Sequence, residues 1–283
     1  MKPFLKWVGG KTQIIDQVME SFPTEIVNYH EPFLGGGSVL LAMLAKVSEG
    51  TIKVSGKIYC SDINTRLINL YKVVQRSPEM LLEELQLLVN NFNESEIDNR
   101  EQFYYQVRNK FNTDKEPVRL AAMFIFLNKT CFRGLYRENS SGNFNVPYGN
   151  YKNPTIVEPN LIMEISKMIT NVIFTAEPFE KSLIVPMGGD FVYLDPPYAP
   201  ESEKSFVGYS IFGFPMEQHL LLFKTVKQLH NNNVSFLMSN SSIPLVTTTF
   251  NSNEYHLKTI LCKRSINSKN PGARTTEVLI KPT

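Results

Sequence analysis

The feature that most restricts this chain is Asp195-Pro196-Pro197-Tyr198, which follows directly on the run Asp190-Phe191-Val192-Tyr193-Leu194. A short apolar run without polar alternation reads as a strand buried on both faces. Two consecutive prolines can continue neither a sheet ladder nor a helix, so the strand must stop at Leu194 and the tetrad is held rigidly at its exit. Open α/β sheets bind ligands outside the carboxyl ends of their strands, so Asp195 and Tyr198 are expected to project into a crevice. An acidic group, a rigid turn bearing carbonyls and an aromatic ring together suit an amine conjugated to an aromatic base. Hydrogen bonds from that amine to the Asp195 carboxylate and the Pro196 carbonyl would draw its nitrogen towards tetrahedral geometry and favour attack on an electrophilic methyl. Tyr198 would stack on a base swung out of its helix. The tetrad alone also fits a simple turn.

The remaining pattern is that of an α/β sheet. A short strand over 28–33 runs into Leu34-Gly35-Gly36-Gly37 and an apolar helix over 39–45. Gly35 and Gly37 let a backbone approach a ligand closely, although a tight turn needs them equally. The spacing is not G-x-G-x-x-G, which disfavours a dinucleotide site. A second strand, 57–61, ends at Asp62 ahead of a helix over 64–75. Asp62 suits a carboxylate that accepts both hydroxyls of a ribose, or a helix N-cap. Further helices are expected over 11–21 and through 77–129, and loop with hairpin over 131–154. Strands at 171–174 and 234–239, a helix over 216–230 and an antiparallel pair at 256–260 and 276–280 complete the pattern. The expected fold is a doubly wound, mostly parallel, Rossmann-like α/β sheet built from 1–75 and 171–283. A mainly helical insert carrying a hairpin occupies 76–170.

Composition excludes several classes. Cys60, Cys131 and Cys262 are odd in number and far apart, which argues against a disulfide framework, and the four histidines show no ligand spacing, so no metal is expected. No apolar run approaches the ~20 residues that cross a bilayer, and residues 1–11 lack an apolar stretch long enough for a signal peptide. A soluble intracellular protein, monomeric by default, is the expectation.

Taken together, Lys6-Trp7-Val8-Gly9-Gly10-Lys11, Glu31-Pro32-Phe33-Leu34-Gly35-Gly36-Gly37 and the late Asp195-Pro196-Pro197-Tyr198 resemble the Dam-type DNA adenine methyltransferases, which act at GATC. The resemblance extends to Arg133-Gly134-Leu135-Tyr136-Arg137, to residues 144–151, to Ser239-Asn240 and to Arg264-Ser265-Ile266. It implies transfer of a methyl group from S-adenosylmethionine to the exocyclic amine of adenine in double-stranded DNA. It also implies that Trp7, Lys11, Phe33, Asp62, Phe179 and Asp195 contact the cofactor, with Lys11 and the Gly35 to Gly37 backbone near its methionine end. By the same resemblance Lys6, Leu135, Arg137 and Pro147 read bases outside the target, and Phe132 and Tyr151 stack or touch the backbone. Arg and Lys suit guanine's paired acceptors, and Leu and Pro suit the thymine methyl. Two positions depart from the family. Arg133 stands where Asn is common, near the orphan thymine, and Pro178 stands where Asp can accept from the cofactor's amine, leaving Glu177 or a backbone group for that role.

Two other readings share this pattern: a methyltransferase of the same core acting on cytosine, RNA or a protein amide, and a DNA-binding protein that has lost catalysis. The intact tetrad with Lys11 and Asp62 argues against the latter, and the insert against the former. A net charge of +2 conceals segregation. Residues 76–101 hold seven acidic groups against two basic ones, whereas 129–152 hold four basic against Glu138, and 258–281 six against Glu277. A basic face should make binding salt-dependent.

Overall fold

The computed structural model describes residues 1–94, 96, 99–199, 214–251, 253–263 and 274–283. Arg264, Ser265, Ile266, Asp98 and Lys269 lie outside the described residues. The chain packs as two compact units, one comprising Met1–Gly10, Gly35–Leu44 and Asn64–Ala176, the other Lys11–Leu34, Ala45–Ile63 and Glu177–Thr283. Among the described residues no helix is long and apolar enough to cross a membrane.

The second unit is an α/β sheet. Strands β1 (Glu25–Ile26) and β3 (Lys53–Val54) form a small parallel pair. The main strands are β2 (Tyr29–Glu31), β4 (Ile58–Asp62), β6 (Phe191–Leu194), β7 (Ser235–Ser241), β8 (Tyr255–Lys263) and β9 (Arg274–Pro282), after β5 (Val172–Ala176) of the first unit is counted. Their order is β4-β2-β6-β7-β9-β8. The first four run parallel, and β9 is antiparallel to both β7 and β8. All four residues of β6 are buried, as an uninterrupted Phe-Val-Tyr-Leu run in a central parallel strand requires. Val192, Leu194, Phe236, Met238, Val278 and Ile280 join Leu222 and Val226 of a helix over Met216–Asn231 in one core.

From β2 the chain winds outward to β4, and from β6 it winds the opposite way to β7. The reversal lies between β2 and β6, which makes the carboxyl edge there the topological switch point, where such sheets bind ligands. The expected helix over 11–21 is broken into a 3₁₀ turn, Lys11–Gln13, and a short helix, Ile15–Met19. Ile14 leaves helical geometry between them (φ −121°, ψ 15°), in a segment whose β-branched Thr12, Ile14 and Ile15 are restricted in a helix.

The first unit is mainly helical. Asn64 caps the helix Thr65–Arg76 by accepting from the Leu67 N–H at 3.0 Å. Helices Pro78–Glu94, Arg100–Thr113 and Pro117–Thr130 follow, and every residue from 121 to 130 in the last of these is buried. A further helix, Pro159–Met168, follows the loop within the mainly helical 76–170 region. The expected hairpin over 131–154 is a loop with two isolated antiparallel bridges, Cys131 to Tyr148 and Glu138 to Phe144. Side chains do the work of a ladder. Tyr104, Arg108 and Asn112, four residues apart on one helix face, bond the Val146 carbonyl (2.8 and 3.2 Å) and both backbone groups of Phe144 (3.0 and 2.8 Å).

Within the second unit Asp190 ties the start of β6 to β2. Its Oδ1 accepts from Asn28 N–H and Nδ2 (3.1 and 2.8 Å), its Oδ2 from Met187 N–H at 3.0 Å, with His30 Nε2 at 3.1 Å. Burial acts to raise its pKa, but these donors outweigh burial and hold it below the ordinary value. Burial lowers the pKa of His30, so a neutral imidazole donates to an ionised Asp190. Replacing Asp190 by Ala leaves the buried His30 and the part-buried Asn28 and Met187 donors without their acceptor, and an equilibrium denaturation series should show a loss of about 2–4 kcal/mol.

Candidate active site

Asp62, Phe33 and Asp195 leave the carboxyl ends of three adjacent parallel strands, β4, β2 and β6, so one sheet edge carries them. The turn after β6 is held by Lys11, Glu277, Asn240 and Ser241. Lys11 is 4% exposed, and its Nζ lies 2.7 Å from Asp195 Oδ1 and 4.9 Å from the centre of the Tyr198 ring. The Tyr198 hydroxyl donates to Glu277 Oε2 at 2.7 Å. The next residue, Ala199, gives its N–H to Asn240 Oδ1 (3.2 Å), and its carbonyl accepts from Ser241 Oγ (2.8 Å). Pro196 is buried and Pro197 exposed. Burial raises the pKa of Asp195 in spite of Lys11, which pulls the other way, while Glu277 adds to the rise.

Phe33, Phe179 and Phe214 form a triangle of rings with centroids 5.5, 5.9 and 6.0 Å apart. Phe179 opens a short helix, Phe179–Ser182, beside β4. Asp62 is half-buried at the end of β4, and its carbonyl accepts from the Glu177 N–H at 3.2 Å. Because Asn64 takes the N-cap position, that alternative explanation of Asp62 is removed.

The first unit holds the other residues picked out from sequence. Trp7 packs over the glycine turn. A Cβ built on Gly35 would stand 2.8 Å from Trp7 Nε1, and one on Gly36 2.7 Å from Trp7 Cβ, while Gly37 faces the Tyr71 hydroxyl. Gly35 and Gly37 also have φ of +49° and +69°, so both backbone conformation and the tryptophan demand glycine here. On its other side Trp7 meets Phe124 and Tyr136.

Lys6, Phe132, Arg133, Pro147 and Tyr151 come together. Asn128 binds the Lys6 backbone by both amide groups (2.9 and 2.8 Å) and the Gly134 carbonyl at 3.2 Å. Lys6 Nζ lies 4.6 Å from the Tyr151 ring centre, the Tyr151 hydroxyl accepts from Arg133 N–H at 3.0 Å, and Phe132 N–H donates to the Pro147 carbonyl at 2.9 Å. Arg133 has φ +57°, a conformation that suits Asn better than Arg, and its guanidinium lies 5.1 Å from the Phe132 ring centre. The Leu135 carbonyl accepts from Cys131 Sγ at 3.3 Å. Arg137 Nε donates to Asn145 Oδ1 at 2.7 Å across the loop. Beside this cluster lies a cavity of about 600 Å³ lined by Lys2, Lys6, Lys129 and Lys152 with Glu158 as its acidic member. Glu158 is 2.6 Å from Lys2 Nζ and 3.3 Å from Lys129 Nζ.

Sequence reasoning gave no role to Glu277, Asn128 or Ser241. Two of them had a signal: Asn128 interrupts a long apolar helix, and Glu277 puts a charge beside the apolar run Val278-Leu279-Ile280.

An α/β sheet with carboxylates and aromatic rings gathered along its carboxyl edge at the switch point is the arrangement of a ligand-binding α/β protein. The comparisons with known proteins make the class specific: residues 7–266 match the D12 class N6 adenine-specific DNA methyltransferases, and the chain belongs to that family. It is 39% identical to the type II methyltransferase M.MjaIII of Methanocaldococcus jannaschii, over 95% of this chain and 94% of that one. It is 34% identical to the type II methyltransferase M1.LlaDCHI of Lactococcus lactis (99% and 95% covered) and 33% identical to the DNA adenine methylase of Escherichia coli K12 (96% and 91% covered). The protein is an adenine-specific DNA methyltransferase.

Glu31, at the end of β2, is 2% exposed and accepts from the Tyr29 hydroxyl at 2.7 Å. Burial raises its pKa to about 8, against the pull of the Tyr29 hydrogen bond and with help from Asp195. A carboxyl with a raised folded-state pKa keeps its proton where the unfolded chain has already lost it, at about 4.3, so its cost to stability grows with pH across that window. Glu31→Gln keeps an acceptor for Tyr29 and removes that cost. The melting-temperature advantage of the variant over wild type should widen from pH 5 to pH 8 and then level; a pH-independent difference would contradict a protonated Glu31.

Proposed function

We propose that the protein transfers a methyl group from S-adenosylmethionine to N6 of adenine in double-stranded DNA, at GATC, after the target base has been flipped out of the helix. The observation that carries this reading is the turn after β6. Its carboxylate and its aromatic ring are both fixed beside one buried ammonium, at the switch point of a parallel sheet. The donor set suits the cofactor: Asp62 can accept from ribose hydroxyls, and by similarity Trp7, Phe33 and Phe179 contact the cofactor, while Lys11 and the Gly35 to Gly37 backbone lie near its methionine end. S-adenosylmethionine, when bound, would supply an electrophilic methyl carbon and keep the electrons of the broken carbon–sulfur bond as a neutral thioether.

The remaining chemistry falls to the chain. Lys11 orients Asp195 through Oδ1 and opposes the rise in its pKa that burial causes. The Asp195 carboxylate and the Pro196 carbonyl accept the two N–H bonds of the adenine amine and localise its lone pair. When the nitrogen gains a methyl it sheds one proton, and the hydrogen-bonded Asp195 carboxylate, with its raised pKa, is the acceptor. Tyr198 replaces part of the stacking lost on flipping. Residues 1–75 and 171–283 form the methyltransferase core in this reading, and 76–170 recognise the target. There Lys6, Leu135, Arg137 and Pro147 read bases, Phe132 and Tyr151 stack or touch the backbone, and Arg133 stands near the orphan thymine. Lys2, Lys129 and Lys152 around the basic cavity supply phosphate contacts.

The direct experiment combines purified protein, labelled S-adenosylmethionine and duplexes with and without GATC. Transfer confined to the GATC duplex is expected, with Asp195→Ala abolishing it while cofactor binding partly persists; equal transfer to duplexes lacking the site would reject the specificity. Arg137→Ala should cost roughly 1–3 kcal/mol of discrimination at one base pair. Unchanged preferences at every position would make Arg137 a phosphate or surface contact instead.

A further inference from the structure

We propose that Glu277 is a positioning residue for the target base, acting through Tyr198; this rests on the reading of residues 195–198 as the methyl-transfer turn. Tyr198 stands beyond two prolines, and the turn itself leaves its two side-chain torsions free. A ring offered as a stacking wall gains most if its plane is set before the base arrives, because ordering it afterwards consumes binding energy. Glu277 sets that plane. Its carboxylate accepts from the phenolic hydroxyl, at the far tip of the ring, at 2.7 Å. It can serve as an anchor because β9 is paired on both sides: Glu277 stands opposite Ser241 of β7 and Ile260 of β8.

The register adds a second fact. Ser241, directly across from Glu277, donates its hydroxyl to the carbonyl of Ala199, the residue after Tyr198. One cross-strand pair therefore holds two consecutive residues of the turn, Tyr198 by its side chain and Ala199 by its backbone. Asn240, the neighbour of Ser241, holds the Ala199 N–H. With Lys11 Nζ 4.9 Å from the ring centre, the tyrosine is restrained at its tip by an anion and over its ring by a cation. Burial, with the Asp195 and Glu277 carboxylates beside it, disfavours ionisation of the phenol, so Tyr198 remains a donor.

The test is a double-mutant cycle on full-length protein, with kcat measured on an unmodified GATC duplex and base extrusion measured separately on a duplex carrying 2-aminopurine at the target adenine. Glu277→Ala and Tyr198→Phe should each lower kcat roughly tenfold or more, the scale of a charge-assisted hydrogen bond, and the double variant should be no worse than either. S-adenosylmethionine affinity should stay within about threefold, since neither group is assigned to the cofactor. Glu277→Gln, whose amide oxygen still accepts from Tyr198, should recover to within about threefold of wild type. With Glu277→Ala, bound 2-aminopurine should fluoresce more strongly than with wild type, as an extruded base stacked less firmly. Losses that multiply in the double variant, or a Gln variant as impaired as the Ala variant, would overturn the role of Glu277 while leaving the assigned reaction standing. Absence of methyl transfer by the wild type would instead remove the reading on which it rests.

Discussion

Strand β6 cannot run past Leu194, because Pro196 and Pro197 lack the N–H groups a ladder needs and fix the backbone as it leaves the sheet. Where that strand stops decides the rest of the second unit's edge. The chain turns out at the switch point beside β2, delivers Asp195 to Lys11 and Tyr198 to Glu277, and is caught at Ala199 by Asn240 and Ser241. Two prolines limit the turn's own freedom, and the clamps from β7, β9 and the 3₁₀ turn remove what is left. A reaction that depends on near-tetrahedral presentation of an amine gains from such rigidity.

Two buried carboxyl groups in the same unit show how the local supply of donors decides charge. Asp190 and Glu31 are 3% and 2% exposed. Asp190 gathers N–H groups from Asn28, Met187 and His30 and stays ionised below its ordinary pKa. Glu31 has the Tyr29 hydroxyl as its donor and the negative Asp195 nearby, and burial prevails. Asp195 lies between these cases: burial raises its pKa and a single lysine opposes the rise. A carboxylate so placed is a better proton acceptor than an exposed one.

In the first unit rigidity comes from side chains. The face of one helix formed by Tyr104, Arg108 and Asn112 sutures residues 144 and 146, and Asn128 fastens the Lys6 backbone to the Gly134 carbonyl. Lys6, Arg133 and Tyr151 are thereby presented together on irregular backbone.

The amino-acid sequence by itself determined the strands of the main sheet but not the short pair β1 and β3, together with the rigid turn after Leu194, the glycine turn and the family, because these follow from local grammar: apolar runs, prolines, positive-φ positions and motif order. It also placed Asp62 and Asp195 at strand ends. Tertiary structure alone decided which neighbours hold them. The Tyr198 to Glu277 bond spans 79 residues of chain, and no periodicity predicts which charge on a distant strand meets a given ring. Asn64 rather than Asp62 caps its helix, the segment over 11–21 breaks at Ile14, and the 131–154 loop forgoes a ladder because a helix face supplies its hydrogen bonds. In each case several local solutions have similar energy, and long-range packing selects among them.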